Sequence, residues 1–458
     1  MTGGPLLENA QPVLQGRLRD AAVEAALHVA ARLRVPGEAE RAAALAAAQS
    51  DFPAFVHWSP PGVAQGNAGL AILWSYLDEC FPGQGWDAEG RTHLEIAARS
   101  AEQSGWQGVG LFSGLSGLAF AAWRLSRGGA RYSRLLASLD ATIPADIVSL
   151  ASQVRGSTGL SVSDFDAISG LSGVGAYLLC RCREPAVEVA LANTVAALTS
   201  LATRETPLPA WYTPAHQLYD DTTRQNYPHG NLNCGLAHGV PGILAFLSLV
   251  HLAGLPFDGL DAAIDATAGW LAHNRLDDPW GVNWPAAIPL QEVLDSEGNP
   301  RLEPAERSSS PGGPSRTAWC YGSPGIARAL WLAGQALDRT DYRDLAVDAM
   351  DAVFRRPVPV RAIDSPTLCH GVSGLLIIAL RFAAETGSPR FIAEAQKLVE
   401  QILESFRPDS VLGFRNIEYR NNQTDQPGLL DGAAGVSLAL LAASSGVEPA
   451  WDRLFLLS

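Results

Sequence analysis

Residues 233–242 read NCGLAHGVPG, and Gly239 and Gly242 within them form a Gly-x-x-Gly step. An apolar run, GILAFLSLV, follows at once over residues 242–250. The same arrangement recurs along the chain, and its steps begin at Gly66, Gly114, Gly170, Gly239, Gly322, Gly371 and Gly432. Each step is predicted to open an apolar helix, so this short stretch indicates a repeat protein.

An amphipathic stretch precedes each of the seven steps. Apolar residues recur at three- and four-residue spacing over 18–33, 91–104, 132–153, 186–203, 259–275, 339–355 and 389–406. The repeated unit is therefore an outer amphipathic helix, a loop, the step and an inner helix. The inner helices have no polar face, so both of their sides must be covered. Seven hairpins closed into a ring of inner helices within a ring of outer helices meet that need.

The fold class predicted from this unit is all-α, an α/α toroid forming a single domain over residues 1–458, with an open superhelix as the alternative. The longest interval between steps contains residues 277–316, which read as a small β-rich insertion with a polar, mobile loop between the fourth and fifth repeats. Residues 204–232 are also predicted to be non-helical. Insertions of this kind gather on the functional face of a repeat array.

Composition excludes several functional classes. The net charge of −14 argues against nucleic acid as a partner, which would need a concentrated basic face. Charged residues interrupt the first 27 positions, so no signal peptide is predicted. No uncharged apolar stretch approaches the roughly 18–20 residues that span a bilayer. The six cysteines are expected to be thiols or metal ligands rather than a disulfide frame, and a cytoplasmic location is expected.

Two neighbouring steps carry metal-ligand chemistry. Cys320 stands before the fifth step in WCYGSPG, and Cys369 and His370 stand before the sixth in LCHGVSG. Two thiols and an imidazole at equivalent ends of neighbouring inner helices predict a zinc site with one open position, as in catalytic zinc sites. Cys180 and Cys234 lie at other positions and are expected to be buried apolar residues.

Three further residues lie close to the steps. His238 precedes the fourth step, Asp166 lies four residues before the third, and Arg316 lies four residues before Cys320. Each also has a purely structural interpretation: His238 as a core histidine, Asp166 as a cap and Arg316 as a solvated arginine. At the same end of neighbouring repeats they would instead share one pocket around the metal. There the imidazole of His238 suits general acid–base work, and Asp166 would orient it or take a proton itself.

The motifs GLAHGVPG, AWCYGSPG and LCHGVSG, together with the seven steps, resemble the lanthionine synthetase C-like cyclases over roughly residues 15–445. The resemblance implies the double-ring toroid with a small β-rich insertion. It also implies that Cys320, Cys369 and His370 are the ligands of one zinc ion per chain. His238 would be the acid/base residue, with Asp166, Arg316 and Tyr321 in the same pocket.

The implied reaction is addition of peptide cysteine thiols to dehydroalanine or dehydrobutyrine, which forms the thioether rings of lantibiotics. The implied partners are a dehydrated precursor peptide, a dehydratase and a membrane transporter, with peripheral membrane attachment through such a complex. The first and seventh steps, GNAG and DGAAG, depart from the common pattern in a way that bears on packing rather than chemistry.

A rival interpretation is a zinc protein that binds or transfers glutathione or another thiol without forming rings. The presence of both His238 and Asp166 argues against it. A glycosidase would need two carboxylates across a cleft, and only Asp166 has such a position. A prenyltransferase would need a carboxylate among its zinc ligands, which the fifth and sixth steps do not offer.

Overall fold

A computed structural model describes residues 13–53, 56–105, 108–204, 206–306, 309–311 and 315–458. The chain divides into two compact units. Unit 1 comprises Met1–Leu139 and Ala362–Arg453, and unit 2 comprises Asp140–Arg361 and Leu454–Ser458. The prediction of a single domain over the whole chain stays a prediction.

Every Gly-x-x-Gly step opens a helix, as predicted, and the first glycine of each step is the residue that caps it. The inner helices are α3 (Asn67–Cys80), α5 (Leu115–Leu125), α8 (Leu171–Cys180), α11 (Val240–Leu252), α13 (Ser323–Ala336), α15 (Val372–Thr386) and α17 (Ala433–Ser444). Nearly all of their residues are buried. This burial agrees with their lack of a polar face.

The predicted amphipathic stretches are also helices. They are α1 (Gly16–Leu33), α4 (Trp86–Ser104), α6 (Ser133–Gly156), α9 (Pro185–Thr203), α12 (Leu260–His273), α14 (Thr340–Arg355) and α16 (Pro389–Glu404). Helix α16 is clearly amphipathic. Its buried residues share one face at helical spacing: Phe391, Ala395, Leu398, Val399 and Ile402.

Three shorter helices are α2 (Glu38–Gln49), α7 (Val162–Phe165) and α10 (Asp221–Asn226). Helix α10 lies inside residues 204–232, so the prediction that this segment is non-helical was wrong there. The reason is a local cap, since the Asp220 carboxylate accepts a hydrogen bond from the backbone N–H of Thr223 at 2.7 Å.

The glycines that open the steps are needed mainly because the preceding loop lies very close to them, and less because of unusual backbone angles. Only Gly322 has a left-handed φ, +111°. The other six are extended, as Gly239 is at φ −131°. A Cβ on Gly239 would lie 2.2 Å from the carbonyl oxygen of Asn233, and one on Gly371 would lie 2.2 Å from that of Ser365. The expectation that the first glycine supplies forbidden angles is therefore correct for Gly322 alone; elsewhere glycine is needed because the preceding loop folds tightly over the helix start.

Within unit 1 the inner helices pack side by side in the order α15, α17, α3, α5. Helices α16, α1 and α4 cover them from outside. The last inner helix of the chain is thus a direct neighbour of the first. Within unit 2 the order is α8, α11, α13, covered by α9, α12 and α14.

Short strands lie between the repeats. They are β1 (Asn231–Asn233), β2 (Leu276–Asp278), β3 (Gly281–Asn283), β4 (Ala287–Leu294), β5 (Pro300–Pro304), β6 (Asn416–Ile417) and β7 (Gln423–Thr424). Strands β2 and β3 form one antiparallel pair, β6 and β7 another, and the three-stranded sheet has the order β1-β4-β5.

Strands β2 to β5 thus fall within or at the edge of the 277–316 segment, while positions 307–308 and 312–314 of its predicted loop lie outside the described residues. The pairing of Asn233 with Ala287 ties this segment to the residues that lead into the fourth step.

Two outer helices, α6 and α9, are long and apolar enough to cross a membrane by length and composition alone. Both helices contain charged residues, so neither is an uncharged apolar stretch of that length. Half of the apolar window of α9 is buried against the protein. In α6 the buried carboxylate of Asp140 accepts hydrogen bonds from Tyr177 and Arg181. Both features are typical of helices that pack in a protein core, so the signal is weak.

No disulfide joins any of the six cysteines, all of which lie within the described residues, in agreement with the expectation of thiols. Cys234 is buried as expected, and burial raises the pKa of its thiol to about 12. Cys180 is only half-buried.

Candidate active site

Backbone hydrogen bonds join the loops that precede neighbouring steps. In unit 2 the N–H of Ala167 donates to the carbonyl of Ala237 at 3.0 Å, and the N–H of Ala237 donates to the carbonyl of Cys320 at 3.2 Å. The third, fourth and fifth step loops are thus held in register. The residue immediately before each step's first glycine, which we call the pre-step residue, is His238 in the fourth loop and Tyr321 in the fifth.

Unit 1 repeats this ladder with the same direction of donation. The N–H of Cys369 donates to Leu430 at 3.0 Å, that of Leu430 to Ala64 at 3.0 Å, and that of Ala64 to Phe112 at 3.1 Å. Consequently the sixth, seventh, first and second step loops lie side by side. Their pre-step residues are His370, Asp431, Gln65 and Ser113.

His238 and Asp166 form a closely bonded pair. Nδ1 of His238 lies 2.6 Å from Oδ2 of Asp166. The Asp166 side chain is 2% exposed, whereas that of His238 is 35% exposed. A carboxylate can only accept, so the shared proton is carried by Nδ1 and the second ring nitrogen, Nε2, is left for other partners. This pair joins residues that are 72 positions apart in the sequence.

The other oxygen of Asp166 is fixed by the turn that leads into α8. Oδ1 accepts backbone N–H bonds from Ile168 at 3.0 Å, Ser169 at 2.7 Å and Gly170 at 2.8 Å. These donors belong to the turn immediately before the start of α8, where a negative charge is favourable. The interpretation of Asp166 as a cap is therefore correct for Oδ1, whereas its functional role, which would involve Oδ2, stays a prediction.

Tyr321 lies beside this pair. Its ring centroid is 6.1 Å from that of His238, with 38° between the ring planes. Nδ2 of Asn233 donates to its hydroxyl at 3.0 Å. Burial is the main cause that raises the pKa of Tyr321, so the residue stays a neutral phenol near neutral pH. A Cβ on Gly235 would lie 2.6 Å from the Tyr321 ring, which explains the glycine of NCGLAHG.

The predicted metal ligands belong to both units. In unit 2, Cys320 is 6% exposed at the start of α13. In unit 1, donor atoms of Cys369, His370 and Asp431 lie within 4.8 Å of one another, and all three residues are half-buried. The structure thus brings Cys369 and His370 together, whereas the three-residue set that includes Cys320 stays a prediction.

Asp431 was missed as a chemical residue, because the seventh step was interpreted as a matter of packing. Its Oδ1 lies 3.4 Å from Nδ1 of His370. The same oxygen is buried and accepts no hydrogen bond from the described residues. Burial raises the pKa of Asp431, and the charge of His370 opposes the shift. The signal that would have found Asp431 is its pre-step position, which it shares with His238, Tyr321 and His370.

This cluster fits a zinc ion. A thiol, an imidazole and a carboxylate are all ligand types that zinc accepts, and a cation would satisfy the unpaired buried oxygen. The predicted role of Arg316 has less support. Its side chain is exposed, and among the described residues no hydrogen bond joins it to His238 or Tyr321. Its place in the pocket stays a prediction.

Three comparisons with known proteins agree with the resemblance carried by the sequence motifs. The family model for "Lanthionine synthetase C-like protein" matches residues 57–456. The chain is similar to the "Nisin biosynthesis protein NisC" of Lactococcus lactis subsp. lactis, with 28% identity over 309 residues, 66% of this chain and 70% of the relative. Its fold is similar to that of the solved "Nisin cyclase", with a TM-score of 0.70 and 22% identity over 92% of this chain and 98% of the other. This likeness confirms the predicted fold class.

Proposed function

The chain belongs to the lanthionine synthetase C-like family, and we propose that this enzyme adds peptide cysteine thiols to dehydroalanine or dehydrobutyrine residues to form lanthionine and methyllanthionine rings. The observation that carries the proposal is the bonded pair of His238 and Asp166, 2.6 Å apart. A thiol-binding scaffold needs no oriented proton donor. An addition to a carbon–carbon double bond does, because a proton must reach the α-carbon.

We propose further that Cys320, Cys369 and His370 hold one zinc ion. The support is the position of each residue at its step, together with the cluster that Cys369 and His370 form with Asp431. When bound, the ion would supply a Lewis acid that keeps the substrate thiol deprotonated near neutral pH.

The chain's own residues then handle the proton. The substrate sulfur gives up its proton and bonds to the β-carbon of the dehydro residue, while the electron pair of the double bond moves to form an enolate. Nε2 of His238 takes up the proton that the sulfur releases and then delivers it to the α-carbon, while Nδ1 keeps its proton and its bond to Asp166. One proton leaves sulfur and one reaches carbon, so the addition is balanced. Asp166 holds the imidazole in place throughout.

Two neighbours complete the proposed pocket. Tyr321, a neutral phenol beside His238, accepts a hydrogen bond from Asn233, so its own hydroxyl hydrogen is able to donate to the enolate oxygen. Arg316 is proposed to help hold the same developing negative charge, which requires its exposed side chain to turn towards the substrate.

Mass spectrometry tests the proposal. A dehydrated peptide is incubated with the protein and then treated with a thiol-alkylating reagent, so that each closed ring removes one alkylation site. We expect thiols to disappear with the wild-type chain, and to disappear far more slowly with His238→Asn at unchanged zinc content. Persistent thiols in a zinc-loaded wild-type sample that retains glutathione would support the thiol-binding alternative. A variant as fast as the wild type would remove His238 from the mechanism.

The proposed partners follow from the family alone. We propose a dehydrated precursor peptide as substrate, and a dehydratase and a membrane transporter as members of a cytoplasmic complex attached to the membrane peripherally. Co-purification of the tagged full chain with each candidate, with and without the precursor peptide, tests these contacts.

A further inference from the structure

Asp431 and His370 are held together by the backbone rather than by chance contact of two surface side chains. Each follows directly after a residue of the ladder, since Cys369 donates its N–H to Leu430 at 3.0 Å. The start of α17 also packs closely against the sixth loop, since a Cβ on Gly435 would lie 2.8 Å from Cδ1 of Leu368. The carboxylate of Asp431 is therefore presented to one particular edge of the His370 ring.

The edge that Asp431 faces is the one with Nδ1. The distance from Nδ1 to Oδ1 is 3.4 Å, slightly longer than an ideal hydrogen bond. Among the described residues this buried oxygen accepts no hydrogen bond, and Nδ1 of His370 is the donor atom that lies beside it. Burying a carboxylate oxygen without a donor is unfavourable, so the arrangement favours the form of His370 that carries its proton on Nδ1.

The chemical consequence concerns the opposite ring nitrogen. An imidazole protonated at Nδ1 has its lone pair at Nε2, and histidines that bind metals commonly donate their other N–H to a carboxylate. We propose that Asp431 is a positioning residue that holds His370 in the Nδ1-protonated form, so that Nε2 is the atom offered to zinc. This inference rests on the proposed function, since it assumes that His370 is a zinc ligand.

The rival role for Asp431 is direct ligation of the metal, because its oxygen also lies within 4.8 Å of the Cys369 and His370 donor atoms. The two roles differ in what an amide does in place of the carboxylate. Asparagine keeps an oxygen that accepts the Nδ1 proton, whereas it is a poor substitute for an anionic zinc ligand. Alanine removes the acceptor altogether.

The test compares Asp431→Ala, Asp431→Asn and the wild type, with the exposed Asp409→Ala as control. Zinc affinity is measured by competition with a chromophoric chelator, the coordination by the visible absorption of the cobalt-loaded protein, and folding by circular dichroism. We expect Asp431→Ala to weaken zinc binding by about 10–100-fold with unchanged cobalt bands. Asp431→Asn should retain most of the affinity, and Asp409→Ala all of it.

Wild-type affinity in Asp431→Ala would overturn the inference and leave the proposed function standing. Shifted cobalt bands or lost zinc in the isosteric Asp431→Asn would also overturn it, because they identify the carboxylate as a ligand; this variant decides the question even where the alanine variant fails to fold. A wild-type chain that binds no zinc would overturn the inference together with the proposed metal site.

Discussion

Asp166→Asn separates the two tasks of this carboxylate. The amide oxygen is able to replace Oδ1, which accepts the three backbone N–H groups before α8. The amide NH2 then replaces Oδ2 and cannot accept the proton of His238 Nδ1. The imidazole loses its orienting partner, and the other tautomer, with its proton on Nε2, becomes the favourable one.

The expected effect on catalysis is large and the effect on stability is small. General acid–base catalysis contributes about 10²–10⁴-fold, so losing the oriented imidazole should slow ring closure by up to that factor, or about 3–5 kcal/mol of barrier. The lost bond to a side chain that is 35% exposed should lower the free energy of unfolding by only about 1 kcal/mol.

Asp166→Ala provides the contrast in stability. It leaves three backbone N–H groups without an acceptor, of which that of Gly170 is fully buried and the other two are partly buried. A buried unsatisfied group costs about 1–3 kcal/mol, so we expect a total loss of about 2–4 kcal/mol. Both variants should lose a similar share of activity, but only the alanine variant should be clearly destabilised.

Thiol alkylation with mass spectrometry gives the cyclisation rate, urea unfolding followed by circular dichroism gives the stability, and metal analysis shows whether zinc is retained. Asp164→Asn is the matched control, because Asp164 caps α7 two residues away through the N–H of Ser161. Wild-type cyclisation by Asp166→Asn would refute the reasoning about the imidazole. Equal destabilisation by asparagine and alanine would refute the assignment of separate tasks to the two oxygens.

Two other predictions concern the metal and the core. Cys320→Ala and His370→Ala should each lose zinc and cyclisation while keeping their helix content, and full zinc in both would count against the ligand assignment. Asp452→Ala should lower the free energy of unfolding by about 3 kcal/mol, because Arg381, whose side chain is 9% exposed and whose Nε lies 2.6 Å from Asp452, would keep only the carboxylate of Glu448 as an ionic partner. Asp341→Ala removes an exposed ion pair and should change the free energy of unfolding in urea little. Equal destabilisation by Asp452→Ala and Asp341→Ala would contradict this expectation.

Much of the architecture could be read from local patterns. A Gly-x-x-Gly step before an apolar run marks a helix start, since glycine is needed where the preceding loop folds tightly against it. The amphipathic stretches identify outer helices, because the spacing of their apolar residues matches one helix face. Cys369 and His370 could also be singled out from the sequence, because they are adjacent residues at a repeated position.

The assignment of chemistry to individual atoms needed the tertiary structure. Asp166 and His238 are 72 residues apart, and only the backbone ladder from Ala167 to Ala237 brings their loops together. Asp431 looked like a packing residue because nothing in DGAAG indicates which loop lies beside it.

The sequence by itself thus determined where the helices start and which faces they bury, because these depend on neighbours along the chain. The tertiary structure alone decided which oxygen faces which nitrogen and why six of the seven capping glycines are glycines. The physical reason is that hydrogen bonds and close contacts depend on distances of a few tenths of an ångström between distant segments, which periodicity along the chain does not encode.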